Sequence, residues 1–188
     1  MASLLLFILI IDYFLGDTKQ LSLTAKETLY AAYVDGTRID LQYGSIWPQA
    51  DQLSIYTVSR LIAIMAIQLD GPCPGILASV TDSLGDYVVT DAAWRCSPSA
   101  AVGWSDFGYD DSGWQPAMLI RKNDYTNDSM CQDELPEIPS ISSEAYWIWT
   151  NFEGESRDVT VFCRGYLRKC NCNVFSVRKG TDKSEPRV

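Results

Sequence analysis

The stretch LIAIMAIQL, residues 61–69, is the most apolar run of the chain after its first 16 residues, and it decides the fold class. It stops at Asp70-Gly71-Pro72, a strong turn signal, so nine residues are available for one regular element. A central strand buried on both faces and a short core helix both fit such a run. Its limited length and its three isoleucines favour the strand.

Short runs of β type lie on both sides of this stretch, and turn residues separate them. LYAAYV (29–34) leads into Asp35-Gly36, a dipeptide suited to a type I′ hairpin because both residues accept positive φ. Residues 38–41 are predicted to form the returning strand. The other predicted strands cover residues 21–25, 75–80, 87–90, 145–150 and 158–163. No stretch keeps a helical period long enough for a convincing helix, so the sequence predicts an all-β protein with the strand spacing of a sandwich.

The length of 188 residues allows one domain with a substantial hydrophobic core but not two. Residues 1–18 are interpreted as a signal peptide, because their apolar run is too short to cross a bilayer comfortably. The alternative is a buried N-terminal strand of an intracellular domain. Residues 19–168 make up the predicted sandwich, and residues 169–188 a cysteine-containing, charged tail. No later segment has the ~18 apolar residues that a membrane span needs, so membrane insertion is not expected.

The cysteine content predicts a disulfide framework of up to three bonds, because six cysteines follow the leader of a short secreted chain. The cysteines are Cys73, Cys96, Cys131, Cys163, Cys170 and Cys172. A zinc site is disfavoured, since the chain has no histidine and no CxxC pair. Cys170 and Cys172 are one residue apart, which disfavours a bond between them; each then pairs elsewhere, or one stays free.

Residues 123–143 are polar and rich in turn residues, and we expect a long surface loop held by a disulfide at Cys131. Asn127 begins a glycosylation sequon within this loop. Together with the leader and the cysteines, the sequon indicates a protein secreted to the extracellular space.

Composition also excludes several functions. The net charge of -9 repels phosphate backbones and anionic lipids, so nucleic acid is not an expected partner. The absence of histidine removes the commonest general base, and the chain contains no GxSxG, P-loop or GxGxxG motif. The sequence therefore predicts a protein that is not an enzyme.

Several stretches, taken in order, resemble a known family. LYAAYVDGTRI (29–39) resembles a hairpin of the jelly-roll domains that precede the catalytic domain in bacterial rhamnosidases, and YDDSGWQPA (109–117) is similar to a turn of those domains and of the sugar-binding sandwich of β-galactosidases. VTDAAWRC (89–96), AYWIWT (145–150) and VFCR (161–164) resemble a secreted, mostly stand-alone form of the domain from marine invertebrates.

The resemblance extends over roughly residues 21–167 and implies a single galactose-binding-like jelly-roll β-sandwich braced by disulfides. It implies a bond between Cys96 and Cys163, which lie at family-like positions. Cys73 and Cys131 are then available to each other or to the two tail cysteines.

The stretch Asp110-Asp111-Ser112-Gly113-Trp114 has two interpretations, a carboxylate pair for acid–base or calcium chemistry and a structural turn. The turn is favoured, because Asp and Ser side chains accept backbone N–H bonds in tight turns. Adjacent carboxylates on a strand point to opposite faces, whereas glycoside hydrolysis needs two that converge. No cofactor is expected; a calcium ion bound by Asp106, Asp110 and Asp111 is a minor option, because acidic turns usually face solvent.

The six tryptophans and ten tyrosines could supply flat platforms on which sugar rings stack. Trp94, Trp114, Trp147 and Trp149 are instead assigned to the core or to strand faces, where aromatic residues bury large areas. The remaining candidates for carbohydrate binding lie in predicted loops and are Trp47 in one loop and Trp104, Asp106 and Tyr109 in another.

The leading hypothesis is a secreted, non-enzymatic, lectin-like module that binds extracellular glycans or glycoproteins. The alternative is an extracellular structural or adhesion protein that binds other proteins and has no sugar site. Ligand-dependent stabilisation by a simple sugar would favour the first, and a free cysteine or crosslinked oligomers would favour the second.

Overall fold

The computed structural model describes residues 18–43, 48–56, 59–69, 73–82, 85–124, 131, 135–151 and 158–167. Within these ranges the chain forms twelve β-strands and no helix, so the all-β prediction is confirmed. The strands are β1 (Thr18–Ala25), β2 (Thr28–Val34), β3 (Thr37–Arg38), β4 (Asp51–Tyr56), β5 (Leu61–Gln68), β6 (Ile76–Asp82), β7 (Gly85–Val89), β8 (Arg95–Ser97), β9 (Gln115–Pro116), β10 (Met118–Lys122), β11 (Tyr146–Trp149) and β12 (Val159–Tyr166).

The strands form two six-stranded antiparallel sheets in a sandwich-like arrangement, as predicted. The first sheet has the order β10-β11-β6-β1-β4, and β7 pairs with β6. The second sheet has the order β3-β2-β5-β12-β8-β9. The main core cluster contains residues of both sheets, for example Leu21 and Ile76 of the first and Ile64 and Val161 of the second.

The apolar run predicted as a central strand is β5, which pairs with β2 on one side and along its full length with β12 on the other. Residues 61–64 are all fully buried. Because neighbouring side chains of a strand point to opposite faces, four consecutive buried residues require cover on both faces of the sheet. The inner face packs into the sandwich core, and Trp104 of the segment 98–114 packs over the outer face, against Tyr33 of β2 and Phe162 of β12.

The predicted Asp35-Gly36 turn has the backbone that a type I′ hairpin needs, with φ of 49° and 81°. The returning strand is shorter than predicted, since β3 contains only Thr37 and Arg38 instead of residues 38–41. Ile39 still donates its backbone N–H to the carbonyl oxygen of Ala32 in β2 at 3.0 Å, and the side chains of Ile39 and Leu41 pack against the core cluster.

The described part of residues 123–143 is irregular and held by a disulfide at Cys131, as predicted, but three residues of its second half are buried and do not lie on the surface. Leu135, Ile138 and Ile141 are buried in a second core cluster together with Leu77 of β6 and Trp147 of β11. These apolar residues recur every third position and cover the outer face of the first sheet. Each sheet is therefore covered on its outer face by an irregular segment.

Asn123 holds the second of these segments in place. Its side chain is buried and its amide nitrogen donates hydrogen bonds to the carbonyl oxygens of Ile138 at 3.1 Å, Ile141 at 2.8 Å and Ser142 at 3.2 Å. The amide oxygen accepts a hydrogen bond from the backbone N–H of Ile138 at 2.8 Å. One side chain thus satisfies four backbone groups that have no strand partner.

The two disulfides of the described residues join Cys96 to Cys163 and Cys73 to Cys131. The first is the bond that the family resemblance implies, and it links directly opposed residues of β8 and β12. The second bond, between Cys73 and Cys131, is one of the pairings that the sequence left open for these two cysteines. Cys170 and Cys172 lie outside the described residues, as do Trp47, Asn127 and residues 1–17 of the predicted leader.

Replacing Asn123 by alanine is expected to lower the free energy of unfolding by about 2–3 kcal/mol, because buried backbone groups lose their partners. Urea denaturation measures this change, and the amide of Ile138 should exchange its hydrogen faster. Asn151→Ala, at an exposed asparagine, is the matched control and should change the free energy by under ~0.5 kcal/mol. Equal effects of the two substitutions would contradict the role of Asn123.

Replacing Cys96 and Cys163 together by alanine is expected to lower the free energy of unfolding by about 2–4 kcal/mol, because the bond closes a loop spanning 67 residues. Removing Cys73 and Cys131, which are 58 residues apart, should have a comparable effect in the same urea titration. A peptide map of unreduced protein that linked Cys96 to any other cysteine would refute the pairing.

Candidate functional site

Segment 98–114 carries the sequence-predicted site residues Trp104, Asp106 and Tyr109. It follows a course of tight turns, in which backbone N–H groups bond to carbonyl oxygens three residues earlier: Trp104 to Ala101, Asp106 to Gly103, Tyr109 to Asp106 and Trp114 to Asp111. The carbonyl oxygens of Trp104, Asp106 and Tyr109 point at the outer face of the second sheet. That geometry allows the segment to bind a side chain of β12.

The side chain that it binds is Arg164, which is fully buried and was not singled out from the sequence. All five N–H donors of its guanidinium have acceptors. Nε donates to Asp111 Oδ2 at 2.8 Å, Nη1 to the carbonyl oxygens of Trp104 and of Asp106 (3.0 Å), and Nη2 to the carbonyl oxygen of Tyr109 (3.4 Å) and the hydroxyl of Tyr166 (2.8 Å). A buried guanidinium is tolerated only when its charge is balanced and its donors are satisfied, and both conditions hold here.

Asp111 supplies the balancing charge. Its Oδ2 also accepts a hydrogen bond of 2.8 Å from the hydroxyl of Tyr166, so three side chains form a closed triangle. Burial raises the pKa of the Tyr166 hydroxyl, although the hydrogen bond from Arg164 acts in the opposite direction. Tyr166 therefore stays protonated at neutral pH and remains a donor to Asp111.

Asp110 and Asp111 do not converge on one point. Asp110 is exposed, and its Oδ1 accepts a hydrogen bond from the backbone N–H of Ser112 at 3.0 Å, which lowers the pKa of the Asp110 carboxyl. Asp111 is buried against Arg164, and Trp114 is buried as well. This geometry agrees with the predicted structural turn and does not provide the paired carboxylates of a glycosidase.

This geometry does not bring Asp106, Asp110 and Asp111 together as ligands for a calcium ion. Among residues that the structure describes, no group of three or more His, Cys, Asp or Glu side chains could hold a metal ion. The carboxylate of Asp106 lies over the hairpin turn instead, since a Cβ on Gly36 would come within 2.6 Å of Asp106 Oδ1. The three aspartates thus face three different partners.

Trp104 is half-buried and is not an open platform for a sugar ring. Its ring packs edge-on against Tyr33, with centroids 5.4 Å apart, and against Phe162, with centroids 4.9 Å apart. Tyr109 packs edge-on against Trp114, and its hydroxyl accepts a hydrogen bond from the N–H of Ala101 at 3.3 Å. The structure therefore brings the predicted residues of this loop together, but it uses the two aromatic rings for packing.

An exposed group beside them was missed from the sequence: Arg60, Phe107 and Tyr166, here called the Phe107 cluster. Phe107 and Tyr166 are 40% and 38% exposed, and their ring centroids lie 6.1 Å apart in an edge-to-face arrangement. The guanidinium carbon of Arg60 lies 3.8 Å from the centroid of the Phe107 ring. These residues are 47 or more positions apart in sequence, so no local pattern could have joined them.

The backbone at Arg60 is fixed from two directions, which positions its side chain. Its N–H donates to Asp35 Oδ1 of the hairpin turn at 3.0 Å, and its carbonyl oxygen accepts a hydrogen bond of 2.8 Å from the N–H of Leu167. Tyr166 is fixed by the Arg164 and Asp111 triangle. The Phe107 cluster is therefore an exposed aromatic and cationic surface in which hydrogen bonds hold the Arg60 backbone and the Tyr166 hydroxyl.

Comparisons with known proteins found no match to this chain among protein-family models, curated proteins or solved structures. The two disulfides indicate an oxidising, extracellular-type environment. In the described part of the chain, no helix is long and apolar enough to cross a membrane.

Replacing Arg164 by methionine is expected to lower the free energy of unfolding by about 3–5 kcal/mol, because Asp111 is left buried without its partner. Asp111→Asn should have a similar effect, and the double variant Arg164→Met with Asp111→Leu should lose less than the sum of the single losses. Glu144→Gln removes an exposed pair with Lys122 and should cost ~1 kcal/mol or less. Additive losses in urea titrations would contradict the coupling of Arg164 and Asp111.

Proposed function

We propose that this protein is a secreted, non-enzymatic carbohydrate-binding module of the galactose-binding-like jelly-roll type, which binds glycans or glycoproteins outside the cell. The observation that carries the proposal is the Phe107 cluster. It combines exposed aromatic rings with a guanidinium at one end of a disulfide-braced sandwich.

Sugar rings present an apolar C–H face and a rim of hydroxyl groups, and a binding site needs complementary groups for both. Phe107 and Tyr166 offer aromatic surface for the C–H face. Arg60 offers planar N–H donors for the hydroxyls, and the neighbouring exposed Asp106 offers an acceptor. Because hydrogen bonds hold the hydroxyl of Tyr166 and the backbone of Arg60, less conformational entropy is lost when a ligand binds.

The location outside the cell is supported by the predicted signal peptide, the Asn127 sequon and the two disulfides. The proposal that the protein is not an enzyme rests on two observations. The sequence has no histidine, and the carboxylates of Asp110 and Asp111 face different partners and do not converge.

The alternative is an extracellular adhesion protein that binds other proteins. One observation favours it: β10 ends the first sheet, and its Met118 and Leu119 are 40% and 42% exposed. The two ends of the second sheet are protected instead, since β3 and β9 have two residues each and β9 ends in Pro116. An exposed apolar strand at the end of a sheet is a common site of protein contact.

A glycan array probed with purified, oxidised mature protein tests the proposal, and we expect saturable binding to a restricted set of glycans. Phe107→Ala should weaken this binding by about tenfold or more, because it removes the main exposed ring of the cluster. Tyr56→Ala is the matched control: Tyr56 is 67% exposed on β4, in the other sheet, and its loss should leave binding unchanged.

A blank array with correctly folded protein would contradict the lectin proposal and favour the adhesion protein. Equal losses in Phe107→Ala and Tyr56→Ala would contradict the location of the site. Release of bound protein by a chelator would show that calcium takes part in binding, and hydrolysis of an aryl glycoside by pure protein would contradict the non-enzymatic assignment.

A further inference from the structure

Arg60 differs in its contacts from the other arginines that the structure describes. Each of the others donates a side-chain hydrogen bond to a backbone carbonyl oxygen; they are Arg38, Arg95, Arg121 and Arg164. Within the described ranges, no group accepts a hydrogen bond from the guanidinium of Arg60, and no carboxylate forms an ion pair with it. Because Arg60 is also exposed, its side-chain N–H donors are available to a ligand.

The contact with Phe107 orients these donors. The guanidinium carbon of Arg60 lies over the Phe107 ring, 3.8 Å from its centroid. A guanidinium that stacks on a ring uses its face, so the N–H groups in its plane remain free to donate at its edge. The ring of Tyr166, whose centroid is 6.1 Å from that of Phe107, adds exposed aromatic surface next to this contact.

A carboxylate is the ligand group that fits this arrangement best. Two parallel N–H groups of a guanidinium match the two oxygens of a carboxylate, and such charge-assisted bonds are roughly twice as strong as bonds to an uncharged hydroxyl. The neighbouring aromatic rings suit the C–H face of a sugar ring. A pyranose that bears a carboxylate therefore presents groups for both parts of the Phe107 cluster.

Two carboxylates of neighbouring turns leave this position open. The oxygens of Asp35 accept hydrogen bonds from the backbone N–H groups of Arg60 and Leu61, at 3.0 and 2.9 Å. The carboxylate of Asp106 lies over Gly36. Among the described contacts, neither aspartate forms an ion pair with the guanidinium of Arg60. A carboxylate of a ligand thus reaches the guanidinium without displacing a protein group.

The overall charge limits how many anionic groups the ligand carries. The chain has a net charge of -9. Exposed charges interact over about 8 Å at physiological ionic strength, so a single carboxylate at Arg60 is affected mainly by the guanidinium. A chain of sulfates or uronates extends beyond this distance over an acidic protein and is repelled. The ligand is therefore expected to carry one carboxylate at the end of a glycan.

We propose that the Phe107 cluster binds a terminal sugar that carries a single carboxylate, a uronic or a sialic acid. The guanidinium of Arg60 donates to the carboxylate, and the rings of Phe107 and Tyr166 contact the sugar ring. This proposal rests on the carbohydrate-binding function proposed above and adds to it the class of sugar.

The test uses protein expressed through a eukaryotic secretory route and purified without reductant. Ligand-observed NMR titrations compare methyl glucuronide and methyl sialoside with the methyl ester of each. Esterification should weaken binding by about fivefold or more, because it removes the negative charge and leaves the sugar ring unchanged. The acid that binds more tightly identifies the source of the carboxylate, and raising the salt concentration should weaken binding of the acid but not of its ester.

Arg60→Gln removes the charge of the side chain and keeps the backbone N–H and carbonyl groups that bond to Asp35 and Leu167. It should weaken binding of the acid by about fivefold and bring the ratio of acid to ester affinity close to one. Arg38→Gln, at an exposed arginine of β3, is the matched control and should leave this ratio unchanged.

Four results would overturn the proposal. One is equal affinity for acid and ester, and another is a preference for the acid that survives Arg60→Gln. The third is tighter binding of a sugar sulfate or of heparin than of either acid. The fourth is failure of both acids to bind. If neutral glycans still bind on the array and Phe107→Ala weakens their binding, the carbohydrate-binding function stands and only the acidic-sugar assignment fails, whereas a blank array contradicts both.

Discussion

The buried guanidinium of Arg164 is the constraint on which this end of the sandwich depends. A buried guanidinium requires an acceptor for each of its five N–H groups and a balancing negative charge. The carbonyl oxygens of a regular strand bond to neighbouring strands and do not converge on one guanidinium. Segment 98–114 meets this requirement because its turns direct the carbonyl oxygens of Trp104, Asp106 and Tyr109 towards β12. The irregular segment is thereby ordered without strand pairing, and it in turn covers the outer face of β5 and β12.

The same network determines the exposed surface. Tyr166 takes part in the buried triangle through its hydroxyl and in the Phe107 cluster through its ring. Arg60 is similarly held by backbone bonds to the hairpin turn and to Leu167 while its guanidinium lies over Phe107. Residues from three distant parts of the chain therefore form one patch, in which hydrogen bonds hold the Tyr166 hydroxyl and the Arg60 backbone. Such preorganisation is what a shallow site requires, because a ligand that is not enclosed provides few contacts to offset ordering.

The sequence predicted those features that a local pattern determines. Apolar and polar residues do not alternate in the run at 61–69, because both faces of β5 are covered. The Asp35-Gly36 turn follows from the positive φ values that these two residues accept. Tertiary contacts determined the rest. Nothing in the neighbourhood of Arg164 distinguishes a buried arginine from an exposed one, and Leu135, Ile138 and Ile141 are separated by prolines and polar residues that resemble a surface loop. The Phe107 cluster was missed for the same reason, whereas Trp104 was singled out for its polar neighbours although its ring fills a gap between Tyr33 and Phe162.

The Cys96–Cys163 disulfide connects the interior of the sandwich to the same end of the molecule. Cys96 and Cys163 lie opposite each other on neighbouring strands, so their bond fixes β8 against β12 one residue before Arg164. Three residues after Cys163, the ring of Tyr166 reaches the surface, and Leu167 then packs in the core cluster beside Arg60. The disulfide, the buried guanidinium and the exposed ring thus lie within four consecutive residues of β12, so one strand connects the covalent brace of the core to the exposed Phe107 cluster.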